Sequence, residues 1–264
     1  MAELHLLQSR PRCFPLRWQW STQRRLPSCS GCLQIAQTPS GTADEDWFVA
    51  VHLSVESASG EIVDALHVID KALKEHDQSA LVSAIEAIES CITFATAVMP
   101  TVRERLDPDV FLNDIRPYLY GYENICFRGV QGDPMVSYIG ETGAQSGIIR
   151  AADTALGTHH SESMMAAMDR FLVCAPPTHQ EFFKYAVGIG QQLAIAREPS
   201  VQNARRSALR ALSEFRRVHY DIVGYYLAPK EKSLVDTGTG GTRFGVWLQQ
   251  MIDETEATIA NSSN

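Results

Sequence analysis

Between Arg205 and Lys230 the residues Leu209, Leu212, Phe215, His219, Ile222 and Tyr226 return at steps of three and four, the period of a helix buried along one face. No stretch of the chain shows sustained strand-like alternation, so the expected class is all-α, a multi-helix bundle. His219 falls on the apolar stripe. An imidazole there reads in two ways, as a core histidine hydrogen-bonded to a neighbour or as a ligand to a metal or haem, and spacing alone leaves both open. Arg216 stands one turn before it, and Ile222 and Val223 one turn after. A cation and branched aliphatics around a neutral nitrogen suit a haem, whose iron takes the nitrogen, whose plane takes apolar walls and whose propionates take a positive partner.

Other segments repeat the helical period. Asp44, Glu45 and Asp46 open a helix at Trp47, where acids complement the dipole, and it is expected to run past Gly60 to about Glu75, with Phe48, His52 and Val55 on one face. A second runs from about Ser79 to Met99 and ends at Pro100. Asp107-Pro108 is a cap followed by a first-turn proline, leading into Phe111, Leu112, Ile115 and Arg116, with Leu112 and Arg116 four apart and therefore neighbours. Arg116 reads either as a snorkelling arginine or as a guanidinium aimed at a ligand carboxylate. Residues 123–147 are glycine-rich and expected as loop; they lack a phosphate-loop lysine, so a nucleotide is discounted. Helices follow at about 146–156 and 161–173, with Met164, Met165 and Met168 as core filling. His159 and His160 lie in a G-T-H-H turn and are expected to be solvated. G-T-G-G-T at 238–242 reads as a linker or as a lid closing over a bound molecule, before a last helix from Phe244 to about Ile259.

Net charge is −8 and mean hydropathy −0.13, so no global basic field favours nucleic acid. No apolar run is expected to reach the roughly 20 residues of a membrane span, and no membrane partner is expected. Residues 1–40 hold Arg10, Arg12, Arg17, Arg24 and Arg25 against the single acid Glu3. That composition is that of an organelle transit peptide or of an irregular extension. Cys29 and Cys32 form one C-x-x-C pair with no second, which disfavours structural zinc; a reduced, cytoplasmic location is expected.

E-D-W-F at 45–48, D-P-D-V-F-L-N-D-I-R-P-Y-L at 107–119, F-R-G then G-E-T-G-A-Q-S at 127–146, A-P-P-T-H-Q-E-F at 175–182, F-R-R-V-H-Y-D-I-V at 215–223 and G-T-G-G-T at 238–242 together resemble indoleamine 2,3-dioxygenase, most closely its fungal branch. The resemblance implies a haem-binding bundle like that family's large domain, with haem b, ferrous iron, dioxygen as co-substrate and an unidentified electron donor. It implies opening of the indole ring of L-tryptophan, or a related indole, to N-formylkynurenine with both oxygen atoms retained, in tryptophan catabolism along the kynurenine pathway or in specialised metabolism. By position, the resemblance makes His219 the proximal haem ligand and Arg216 the partner of a haem propionate, supported by Asp153. Arg116 would hold the substrate carboxylate, Phe111 and Phe48 would wall the indole, Thr239 would lie near the substrate's amino acid end, and Thr142 and Gly143 would line the distal side. His52 stands where well-known animal members have serine, and Leu112 where a second aromatic is common. The likeness is read as starting near Asp44, which makes 1–43 an irregular extension and 44–264 the dioxygenase-like domain. Part of the distal roof then lacks a counterpart, and the alternative is a truncated haem-binding or structural remnant with little activity.

Overall fold

The computed structural model describes residues 35, 38–57, 60–227, 238–241 and 243–262. The arginine-rich head, the Cys29–Cys32 pair, Thr242 and the stretch from 228 to 237 lie outside the described residues. The fold is all-α with one small hairpin. Its elements are α1 (Ala43–Ser57), α2 (Gly60–Glu75), α3 (Gln78–Val98), the single turn α4 (Pro108–Val110), strands β1 (Tyr122–Cys126) and β2 (Met135–Tyr138), then α5 (Gly147–Ala155), α6 (Glu162–Leu172), α7 (Pro177–Ile195), α8 (Pro199–Leu227) and α9 (Phe244–Asn261).

Two helices form the axis. α8 has 29 residues, about 43 Å at 1.5 Å per residue, and packs along α3, which also lies against α2; α9 covers the other side of α8 and α5 packs on α7. The apolar stripes foreseen in α3 and α8 meet here: Leu81, Ile85, Ile88 and Ile92 join Leu209, Leu212 and Phe215 in one buried core with Ile62, Leu66 and Ile69 of α2. Each such side chain removed from water contributes about 1.5–3 kcal/mol. Asp77 caps α3 by accepting from the Ala80 amide at 3.0 Å. Arg205, 3% exposed, donates to the Leu156 and Gly157 carbonyls at 2.7 and 3.1 Å and so fastens α8 to the negative end of α5. A second, smaller core gathers Val51, Val98, Val102, Leu106, Ile115 and Tyr226.

Four expectations need correction. The helix expected to run through Gly60 is two helices, α1 ending at Ser57 and α2 starting at Gly60, because glycine is a poor helix interior but an adequate first residue. The glycine-rich stretch is not all loop: β1 pairs antiparallel with β2, Ile125 opposite Val136 and Cys126 opposite Met135. Both strands are mostly exposed, so the buried-exposed alternation that reveals a strand in sequence is missing. The stretch Gln78–Glu104 is long and apolar enough to cross a membrane, with mean hydropathy 1.6 and 44% of its window buried; here α3 occupies the centre of the bundle. Met164 and Met168 are core residues, whereas Met165 is 40% exposed.

Candidate functional site

His219 sits on α8 between the two cores, one turn from Phe215 of the larger and from Ile222 of the smaller. Its imidazole is partly accessible, with the Phe215 ring centroid 6.4 Å away. Desolvation, and then the nearby His52, push its pKa down to about 4. The ring is therefore uncharged at neutral pH, with a lone pair to offer. His52 stands across from it on α1. It retains accessible surface, yet crowding by protein lowers its pKa against the opposing pull of the Phe48 carbonyl and Glu56. Nδ1 of His52 lies 2.8 Å from the Phe48 oxygen. A carbonyl only accepts, so Nδ1 carries the proton and Nε2 is left as an acceptor.

Phenyl rings wall the same region. Phe48 lies 4.3 Å from His52 and 5.5 Å from Phe111, centroid to centroid, and Phe111 lies edge-on to Tyr226 at 5.4 Å. The backbone that presents Phe111 follows from Pro117. Proline supplies no N–H to continue an α ladder, and residues Phe111–Ile115 wind as a π turn, with the Arg116 amide donating to the Phe111 carbonyl. Bonding five residues back stacks Arg116 over Phe111, not over Leu112 as α spacing suggested. Arg116 is 4% exposed, donates to the Tyr120 hydroxyl and lies 4.9 Å from that ring's centroid. It is buried along its length, so it does not snorkel.

Behind His219 runs a chain of charged groups. Arg216, 3% exposed, faces Asp153, 1% exposed, at 2.8 Å, and donates to Thr255 Oγ1 and to the Met251 carbonyl. Its Nε has no hydrogen-bond acceptor, while Nη2 is paired with Asp153 Oδ1. Asp153 also meets His160 at 2.8 Å, and His160 meets Glu254 at 2.6 Å. The expectation of a solvated His160 is thus overturned: it is 9% exposed and held on both nitrogens. Burial alone would raise the Asp153 pKa, but Arg216 and then His160 outweigh it and hold the carboxyl far below the usual range.

Thr142, Gly143 and Thr239 form a third group. Thr142 caps the turn Gly143–Gln145, accepting from Ala144 while Gln145 reaches back to the Thr142 amide. Thr239 donates to the Glu141 carbonyl. A Cβ on Gly140 would lie 2.2 Å from the Thr239 carbonyl oxygen, and one on Gly240 would lie 2.8 Å from Phe171 and 3.0 Å from Thr142, so glycine at both positions lets the two segments touch. Phe171 continues to Trp247 at 6.3 Å, one turn before Met251, whose carbonyl takes Arg216. The structure therefore gathers His52, Phe48 and Phe111 in one ring cluster near His219, holds Arg216 against Asp153 one turn back along α8, and docks the glycine segment at 238–241 on the 140–143 loop. Sequence reasoning missed His160, Glu254 and Tyr226 as members of this neighbourhood; Ser161, an N-cap whose hydroxyl accepts from Met164, marked the helix start beside His160 but not its partners.

An all-α bundle that brings one uncharged imidazole near a second imidazole and a wall of phenyl rings defines the structural class. The family model for indoleamine 2,3-dioxygenase matches residues 16–258, and the chain belongs to that family. The match reaches into the arginine-rich head. The chain is 26% identical to indoleamine 2,3-dioxygenase 2 of Mus musculus over 231 residues, 79% of this chain and 57% of the relative. It is 25% identical to a myoglobin of Haliotis madaka over 244 residues, 86% of this chain and 64% of that one. An indoleamine 2,3-dioxygenase of Penicillium citrinum is 24% identical over 254 residues, 86% of this chain and 57% of the relative. The chain thus spans about three-fifths of the length of these curated relatives.

Proposed function

We propose that this chain is a haem-dependent dioxygenase that opens the indole ring of L-tryptophan, or of a related indole, to N-formylkynurenine. The observation that carries the reading is His219, an imidazole kept uncharged on an apolar helix face opposite His52 and the Phe48–Phe111 wall. The residues fit a haem. His219 would take the iron, and Arg216, whose Nε has no acceptor, matches a propionate in kind and charge. Among the described residues no three of His, Cys, Asp and Glu converge on a metal ion, whereas a porphyrin iron asks one nitrogen of the protein. When bound, ferrous haem supplies the activation of dioxygen. The chain's share is placement, worth several kcal/mol when the reacting atoms are held in near-attack range. Arg116 holds the substrate carboxylate, Phe111 and Phe48 flank the flat ring, and His52 Nε2 accepts the indole N–H. Thr239 closes over the amino acid end, with Thr142 and Gly143 lining the side away from His219.

The reading includes a cytoplasmic setting, an unidentified electron donor, and a place in tryptophan catabolism or in specialised metabolism, with no membrane or nucleic-acid partner. The similarity to the Haliotis madaka myoglobin favours a second reading, a haem protein with little or no ring-opening activity. Purified protein loaded with haem, reduced, and given L-tryptophan with isotopically heavy dioxygen tests both. N-formylkynurenine carrying two heavy oxygens supports the dioxygenase; bound haem without product supports the second reading; failure to bind haem overturns both.

A further inference from the structure

Two carboxylates grip His160 from opposite sides, Asp153 Oδ2 at 2.8 Å from Nε2 and Glu254 Oε2 at 2.6 Å from Nδ1. A neutral imidazole owns a single N–H, and a carboxylate only accepts, so a neutral His160 would set two lone pairs face to face at one of these contacts. An imidazolium donates to both. The proton does not belong on either acid. Asp153 faces Arg216 at 2.8 Å, and the other oxygen of Glu254 accepts from the Ser161 amide at 3.2 Å and from Gln250 at 2.8 Å. The run Arg216, Asp153, His160, Glu254 is then plus, minus, plus, minus. The titratable groups facing His160 are Asp153 on α5, Arg216 on α8 and Glu254 on α9.

We infer that His160, held as an imidazolium between Asp153 and Glu254, is a positioning residue that keeps Arg216 able to take a second anion beside His219, and so links binding of a carboxylate-bearing porphyrin to one proton. The porphyrin in this statement rests on the haem reading above. With His160 charged, the single charge of Asp153 is shared between two cations in a neutral cluster, and the buried Nε of Arg216 keeps a donor without an acceptor. With His160 uncharged, Asp153 serves Arg216 alone, the cluster carries one net negative charge, and an incoming carboxylate is repelled. Burial works to lower the His160 pKa, but the hydrogen bond and charge of Asp153 outweigh it and raise it. Affinity for the carboxylate-bearing porphyrin is therefore level below the raised pKa of His160 in the haem-free fold and weakens as pH rises above it.

The test compares haemin with its dimethyl ester, in which both propionates are capped, by absorbance titration of the full chain from about pH 6 to about pH 9. Wild-type affinity for haemin is expected to fall about tenfold per pH unit above the folded pKa of His160, while affinity for the ester stays level across the same range. His160→Gln is expected to bind haemin more weakly at low pH and to lose the slope. Nitrogen-15 NMR of the histidines in the haem-free wild type, which needs no variant to fold, is expected to show both nitrogens of His160 protonated at pH 7. Equal slopes for haemin and ester, equal slopes for wild type and His160→Gln, or a neutral His160 at pH 6 would each overturn the inference. If haemin binds at no pH, the haem reading and the porphyrin clause fall together, and the NMR signal separately decides the imidazolium.

Discussion

Replacing Asp153 by asparagine removes one charge and almost no volume, so what it costs is electrostatic. Asp153 is 1% exposed and stands 2.8 Å from both Arg216 and His160. The amide leaves Arg216, itself 3% exposed, without its anion and gives His160 one carboxylate in place of two. Removing one partner from a buried ion pair costs about 3–5 kcal/mol, because the remaining charge stays desolvated. For a chain of this size that corresponds to a fall in Tm of about 6–20 °C. Urea unfolding of wild type and Asp153→Asn at pH 7 reads the difference directly, with the slope against urea unchanged. The loss should shrink as pH rises through the raised folded pKa of His160, beyond which a single stranded cation remains. A loss under about 1 kcal/mol at pH 7, or one that does not depend on pH, would refute the claim that Asp153 is the shared counter-charge of both cations.

His219→Ala is expected to abolish haem retention, seen as absence of the Soret band after gel filtration. The same residue sets an acid limit: its neutral form is favoured above the unfolded value of about 6.5, and the stability it contributes, at most about 3 kcal/mol, is lost as pH falls toward its folded value. Haem binding in acid should therefore have its midpoint near the folded value of about 4, not at 6.5; a midpoint above pH 6 would contradict the desolvated site. Arg116→Ala should keep haem and weaken the L-tryptophan-induced spectral shift by at least about tenfold, the loss of one charge-assisted hydrogen bond. Gly140→Ala forces a Cβ to within 2.2 Å of the Thr239 carbonyl oxygen; about 1–3 kcal/mol of destabilisation is expected on thermal melting, with weaker tryptophan binding in the haem-loaded protein.

Periodicity made the helices legible because burial on one face leaves a mark every three or four residues. Leu209, Leu212 and Phe215 are core residues and were readable as such. The hairpin was not, because Tyr122–Cys126 and Met135–Tyr138 bury almost nothing. Nor was the π turn, since Pro117 announces that the helix is interrupted but not that Arg116 will bond back to Phe111. His160 was misread for another reason: a histidine in a turn looks solvated, and Glu254, which holds it, lies 94 residues away. His219 was picked out of eight histidines by family resemblance, and its neighbours His52 and Phe48 come from α1, which no local signal ties to α8.

The two cores divide the molecule mechanically as well as spatially. Larger and richer in fully buried side chains, the α2–α3–α8 core should open to solvent only with global unfolding. The smaller core, built from Val51, Val98, Val102, Leu106, Ile115 and Tyr226, carries Phe48 and Phe111 and should open locally at lower free energy. His219 lies on the seam. One side of any ring it holds would rest on a slow-exchanging wall and the other on one that breathes, so amide exchange in α1 and the 108–119 turns should outpace exchange in α3. Ligand entry would then need no rearrangement of the bundle.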